Sequence, residues 1–234
     1  MNAFDRTILL FLDDLHGRSP GLDAALANFQ QNNMLKGGLF LTVIWYLWFR
    51  PSAYEQDSRL IRQKLMATIC AMVIGILVAR LLADLLPFRA RPISDPQLHL
   101  RPPSGFEELA TWSSFPSDHA VVWLTLAFGV LQLHRPLGAV TLVYACLLSL
   151  GRVYAGIHYP TDIIGAAIIA GLVLWLLNRP AILAQIYAPL ASYEQRSPGV
   201  FYAAAFLACY EIANLFDEVR DLAERAWHVL HVMS

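Results

Sequence analysis

Apolar residues fall into six blocks, each near the length of about 20 residues that a helix needs to cross a hydrocarbon core. They are about Met34–Phe49, Leu65–Leu86, His119–Leu133, Pro136–Leu150, Thr161–Leu177 and Val200–Phe216. The blocks are continuous rather than alternating, which argues for helices and against strands. The sixth carries Glu211 and Asn214, so it either crosses or packs partly at the interface. Two flanking segments are amphipathic. Near the start Phe4, Ile8, Phe11, Leu12 and Leu15 recur at helical spacing. Near the end Phe216, Val219, Leu222, Ala226, Trp227 and Leu230 form a second stripe. Each fits a helix lying on the bilayer surface or one packed against a bundle. No internal repeat or low-complexity linker is visible. The pattern predicts an all-α, polytopic helical membrane bundle of about six transmembrane helices. It forms one domain over residues 1–234, with amphipathic N- and C-terminal helices.

Composition agrees. Of 234 residues, 57% are hydrophobic and 15% charged, against about 25% charged in soluble domains. Too few polar side chains remain to coat a soluble globule. A disordered chain is excluded by the same apolar excess. The formal net charge of -1 supplies no field for nucleic acid. Cys70, Cys146 and Cys209 each sit in an apolar run, so they read as small buried hydrophobes rather than a disulfide framework. The short stretch Ile8–Leu12 is flanked by Asp5, Asp13 and Asp14 and does not read as a cleaved signal peptide.

Positive charge orients the bundle. Arg50, Arg59, Arg62 and Lys64 cluster between the first two blocks, which places that loop in the cytoplasm. The segments after the second and fourth blocks then face outward. Arg6, Arg18 and Lys36 fall on the outer side as well, against the rule.

Polar residues are scarce, so their clustering is informative. Arg89-Ala90-Arg91-Pro92 follows the second block, and Phe115-Pro116-Ser117-Asp118-His119 leads into the third. Residues 151–162, from Gly151 to Asp162, join the fourth to the fifth. Successive crossings reverse direction, so all three groups lie at one side of the membrane. Arg91 and Arg152 are permanent cations whose planar forks suit phosphate oxygens. Ser117 stands where an N-cap would, so its hydroxyl and the helix start can hold another phosphate oxygen. His119 and His158 are candidates for acid, base or nucleophile. Asp162, four residues after His158, can accept one imidazole N–H and leave the other nitrogen to attack.

These groups resemble the three signature motifs of the phosphatidic acid phosphatase type 2 superfamily, which also includes the vanadium haloperoxidases. Arg91-Pro92 matches the end of the first motif. Pro116-Ser117-Asp118-His119 matches the second with Asp for Gly, and Arg152, His158 and Asp162 match the third at its spacing. The resemblance covers about residues 65–178. It is similar to the bacterial undecaprenyl pyrophosphate phosphatase branch. It implies His158 as nucleophile through a phosphohistidine, Asp162 as its orienter and His119 as general acid and then base. Arg91, Arg152 and Ser117 would hold phosphoryl oxygens. It implies no metal and no cofactor.

The substrate implied is a membrane lipid phosphate or diphosphate. Undecaprenyl pyrophosphate is the best fit, with phosphatidic acid and phosphatidylglycerol phosphate as alternatives. Lipid A phosphate and transfer of the phosphate to another lipid stay open. The implied location is a bacterial inner membrane, multi-pass, with the site at the periplasmic face. No nucleic acid partner is expected. Outside enzymes, the chain fits a lipid-phosphate binding or anion transport protein.

Two positions depart from the family pattern. Asp84 stands where the family has Lys, seven residues before Arg91. Arg80, one turn earlier, is placed to pair with Asp84, and Arg89 is the candidate replacement for the missing phosphate-binding cation. Gly151 stands where the family has Ser. Asp118 reads either as an inert replacement of a loop Gly, the reading favoured here, or as a tuner of His119. His16, His99, His134, His228 and His231 read as ordinary. Trp45, Trp48, Trp112, Trp123, Trp175 and Trp227 fit an aromatic belt.

Overall fold

A computed structural model describes residues 1–15, 18–51, 55–95, 98 and 112–214. Nine α-helices carry the described chain, with no strand among the described residues. They are α1 (Ala3–Leu15), α2 (Pro20–Gln31), α3 (Leu39–Phe49, entered through a π-helical turn Met34–Gly38), α4 (Glu55–Leu85) and α5 (Asp118–Leu133). α6 (Arg135–Tyr154), α7 (Pro160–Leu177), α8 (Pro180–Arg196) and α9 (Pro198–Ala213) follow.

The helix ends are written in the sequence. Ser117 caps α5, its Oγ accepting from Ala120 N at 3.4 Å. His134 ends α5 and caps α6, its Nδ1 accepting from Leu137 N at 3.3 Å. Proline opens α6, α7, α8 and α9, where its missing N–H is no loss. α5 is buried along an unbroken run from Ala120 to Ala127 and packs against α4, α6 and α7. A helix that is apolar all round belongs in the interior.

The outside is apolar too. Leu77 and Leu81 of α4, Val143 and Leu147 of α6, and Ile168 and Leu172 of α7 are exposed. In water such surfaces would drive aggregation; in lipid they are solvated. Residues 57–85, 135–154 and 160–177 are long and apolar enough to cross a bilayer, and Met34–Phe49, Asp118–Leu133 and Pro198–Ala213 are shorter apolar helices. These six helices overlap the six sequence blocks within the described residues, and three of them have the length and hydropathy of a crossing. α9 meets the α3 segment at its two ends. Phe201 stacks on Trp48 at one end, and Asn33 Nδ2 donates to Asn214 Oδ1 at 2.8 Å at the other.

Close approach at that second end depends on Gly37. A Cβ there would lie 2.6 Å from Ala213 Cα and 2.8 Å from its carbonyl oxygen, both rigid backbone. Gly37→Ala is expected to cost about 1–3 kcal/mol, seen as a lower thermal midpoint in detergent. An unchanged midpoint would contradict the tight contact.

Some expectations are corrected. α2 and α8 were not legible as apolar blocks. α8 packs Leu183 against Ala67 and Ala71 of α4, and Glu194 accepts from Arg62 at 3.1 Å and from Tyr202 at 2.6 Å. No cysteine is fully buried: Cys146 is exposed, and Cys70 and Cys209 are half-buried. A bundle with an apolar exterior can place such residues outward at no cost. Trp123 is wholly buried rather than part of a belt. α1 packs against α6 and α7 through Leu9, which meets Val153 and Tyr159, while Phe4 and Phe11 remain exposed. The second amphipathic stripe, from Phe216 onward, lies outside the described residues, as do His16, His99, His228, His231 and Trp227.

Candidate active site

The end of α4, the start of α5 and the α6–α7 connection meet at one end of the bundle. Pro87 follows α4, and the chain turns through Arg89 and Arg91. Backbone bonds fix this segment to the others. Ile93 N donates to Gly156 O at 2.9 Å, and Ser114 N donates to Arg89 O at 2.8 Å. Gly156 has φ 68°, a left-handed conformation that ends α6 and turns the chain toward His158.

His158 is 1% exposed. Its Nδ1 lies 2.9 Å from Ser114 O and 3.5 Å from Asp162 Oδ2. Both oxygens only accept, so Nδ1 carries the hydrogen and Nε2 keeps its lone pair. The closer orienting acceptor is therefore the Ser114 carbonyl, which the sequence did not reveal. Arg91 NH1 lies 3.5 Å from Nε2 and donates to Ile157 O at 3.0 Å. Burial lowers the His158 pKa below its usual value. The hydrogen bond with Asp162 opposes this, and the Arg152 and Arg91 cations add to the lowering. The imidazole is thus neutral at physiological pH, the form in which a nucleophile is needed.

Asp162 is fully buried. Its Oδ2 accepts from Tyr159 N at 2.8 Å and closes the first turn of α7. Its Oδ1 accepts from Arg89 NH1 at 2.5 Å. This redirects Arg89. Its NH1 also donates to Thr161 Oγ1 at 2.9 Å, its NH2 donates to Asp5 Oδ2 at 2.7 Å, and its guanidinium lies 4.0 Å from the Tyr159 ring centroid. Arg89 stands behind Asp162 rather than as a replacement cation for phosphate.

Asp118 is engaged too, so the favoured reading of it as inert fails. Its Oδ1 lies 2.9 Å from His119 Nδ1, and its Oδ2 is bonded to Arg80. Asp118 thus fixes one His119 nitrogen and leaves Nε2 for proton exchange. The expected Arg80–Asp84 pair gives way to Arg80–Asp118, with Arg80 also 4.7 Å from the Trp112 ring centroid. Asp84 stays exposed at the cavity. The family's Ser position is filled differently: Gln30 of α2 donates to Leu148 O at 2.9 Å, and a side chain at Gly151 would collide with its amide.

A cavity of about 540 Å³ opens here. Arg91 and His158 line it with Arg80, Asp84 and Asp118, and the exposed side chains Leu86, Phe88 and Trp112 add apolar wall. Ser117 and Arg152 are buried beside it, and His119 stands next to Asp118. Of the connection 93–114, residues 96–97 and 99–111 lie outside the described residues.

The fold and this arrangement define a helical membrane protein with a histidine-and-arginine centre. The PAP2 superfamily model matches residues 64–181, half of the chain, and the chain belongs to that superfamily. Among curated relatives, it is 30% identical over 88 residues to the bacitracin transport permease protein BcrC of Bacillus licheniformis, covering 36% of this chain and 43% of that one. It is 29% identical over 103 residues to the undecaprenyl-diphosphatase BcrC of Bacillus subtilis (strain 168), covering 44% of this chain and 51% of the other. The chain thus spans about half the length of these relatives. Its fold is similar to the crystal structure of Aquifex aeolicus LpxE, with TM-score 0.51 and 22% identity over 75% of this chain and 94% of that one.

Proposed function

We propose that the chain is a metal-independent lipid phosphatase that cleaves a prenyl diphosphate, best undecaprenyl pyrophosphate, to the monophosphate. The carrying observation is the cavity in which His158 and Arg91 meet an apolar rim of Leu86, Phe88 and Trp112. A phosphate headgroup suits the first pair, and a hydrocarbon tail suits the second. Exposed Leu77, Leu81 and Leu85 on α4 extend the apolar path into the bilayer. The similarity to an undecaprenyl-diphosphatase supports the substrate.

In the reaction, His158 Nε2 attacks the terminal phosphorus while His119 gives a proton to the departing oxygen of the lipid monophosphate. The phosphoryl group rests on Nε2. Arg91, Arg152 and Ser117 hold its oxygens, and Asp162 faces the charged imidazole. His119 then takes a proton from water, which attacks phosphorus and releases inorganic phosphate. The site faces the outer side of a bacterial inner membrane. The basic residues Arg59, Arg62 and Lys64 begin α4 at the opposite end of the bundle, which supports that orientation.

The purified protein in mixed micelles with EDTA is expected to release phosphate from a prenyl diphosphate faster than from phosphatidic acid or phosphatidylglycerol phosphate. A faster glycerolipid would move the substrate assignment. No release from these three or from lipid A phosphate would sink the phosphatase reading in favour of lipid-phosphate binding or anion transport.

A further inference from the structure

Asp5 lies on α1, an amphipathic helix outside the motif-bearing core, yet its side chain is wholly buried. Isolated buried carboxylates are costly, so what surrounds one is informative. Asp5 Oδ1 accepts from Thr161 N at 2.9 Å. Its Oδ2 accepts from Thr161 Oγ1 at 2.7 Å, from Arg89 NH2 at 2.7 Å and from Asn2 Nδ2 at 2.9 Å. Arg89 in turn donates to Asp162 Oδ1 at 2.5 Å, and Asp162 Oδ2 faces His158 Nδ1 at 3.5 Å. A chain of contacts therefore runs from the N-terminal helix to the proposed nucleophile.

We propose that Asp5 is a positioning residue. By holding one side of the Arg89 fork, it sets the orientation of Asp162 and the share of its negative charge left to His158. This rests on the proposed phosphatase reading.

The physics is a competition for Arg89. The guanidinium sits between two buried carboxylates, and Asp5 balances its pull on Asp162. Without the charge of Asp5, Arg89 neutralises Asp162 more fully. Less negative potential then remains to stabilise the imidazolium that forms as His158 becomes phosphorylated. The other charged groups near His158 are Arg91 after α4, Arg152 of α6, and Arg80 and Asp84 of α4 with Asp118 of α5, which line the same cavity. Asp95 and Tyr159 lie on the Arg89 side. None of these replaces Asp5, because Asp5 alone among them bonds both Arg89 and the first turn of α7. α1 docks at the same place through Leu9, so losing the helix would loosen the network from outside.

The test is Asp5→Asn in the full-length protein, assayed for phosphate release from a prenyl diphosphate across pH. The expected result is a kcat lowered about tenfold with KM nearly unchanged. The acidic limb should shift to lower pH, because less negative potential disfavours protonated His158. Leu183→Ala is the comparator: it loosens the packing of α8 on α4, away from the Asp5 network, and lowers the thermal midpoint but leaves the limb in place. If Asp5→Asn does not fold, Arg89→Lys carries the test. One ammonium cannot fork across both carboxylates, so kcat should fall with KM preserved. Parental kcat and parental limb in either folded variant would overturn the inference. A parent protein with no turnover would instead overturn the phosphatase reading.

Discussion

His158→Ala is expected to lower kcat for phosphate release by about 10⁴-fold or more. The proposed covalent step needs a neutral nitrogen with its lone pair toward phosphorus. Only His158 on the described cavity wall supplies one: Nδ1–H faces Ser114 O at 2.9 Å, and Nε2 lies 3.5 Å from Arg91. The phosphoenzyme makes the prediction sharper than a rate. Brief exposure of the parent to labelled diphosphate should leave an acid-labile, alkali-stable phosphoprotein, the stability pattern of a phosphorus–nitrogen bond. His158→Ala should leave none, and a label that persists would end the mechanism. The pH dependence follows from the environment. Burial and two cations lower the His158 pKa. Protonation, which removes the nucleophile, is therefore centred below the usual histidine value of about 6.5, and the acidic limb of kcat should lie below that value.

Arg91→Ala should cost about 10²–10³-fold in kcat, the scale for deleting one preorganised donor to a developing anion. Arg91 is 6% exposed and its NH1 stands 3.5 Å from His158 Nε2, which in the proposed reaction places it to meet the phosphoryl oxygens as the bond forms. Its segment is held independently by Ile93 N to Gly156 O at 2.9 Å. The loop should therefore survive the substitution. Arg91→Lys should recover little, since an ammonium cannot both bond Ile157 O and present a planar pair of donors. Steady-state kinetics on the three proteins decide it. Full activity in Arg91→Lys would mean that charge alone matters there.

Much of the site was legible because the chain is so apolar. Arg91, Ser117, His119, Arg152, His158 and Asp162 stand out from the hydrophobic blocks, and the Ser117 cap of α5 follows from its position. Other contacts were not legible, for physical reasons. Arg80 and Asp84 share a helix face, yet a carboxylate at the start of α5 takes Arg80. A helix-local pairing rule cannot see a partner on another helix. Arg89 was read by its distance along the chain from the absent Lys, while its real neighbours are Asp162 and Asp5, 73 and 84 residues away. Ser114 orients His158 through its backbone, which every residue possesses, so no residue type could have announced it. The one available signal for Asp5 was an acidic residue set within the apolar stripe of α1.

By itself, the sequence determined the environment and the elements. Long continuous apolar runs, without the alternation of barrel strands, span lipid as helices, which satisfy every backbone donor within the segment. Alternating crossings then bring three polar groups to one end. What the tertiary structure alone decided is who holds whom there. Helix rotation and the docking of α1 assigned Arg80 to Asp118, Arg89 to Asp162 and Asp5, and Ser114 to His158. Those choices depend on side-chain reach across packed helices, and periodicity along one chain carries no record of it.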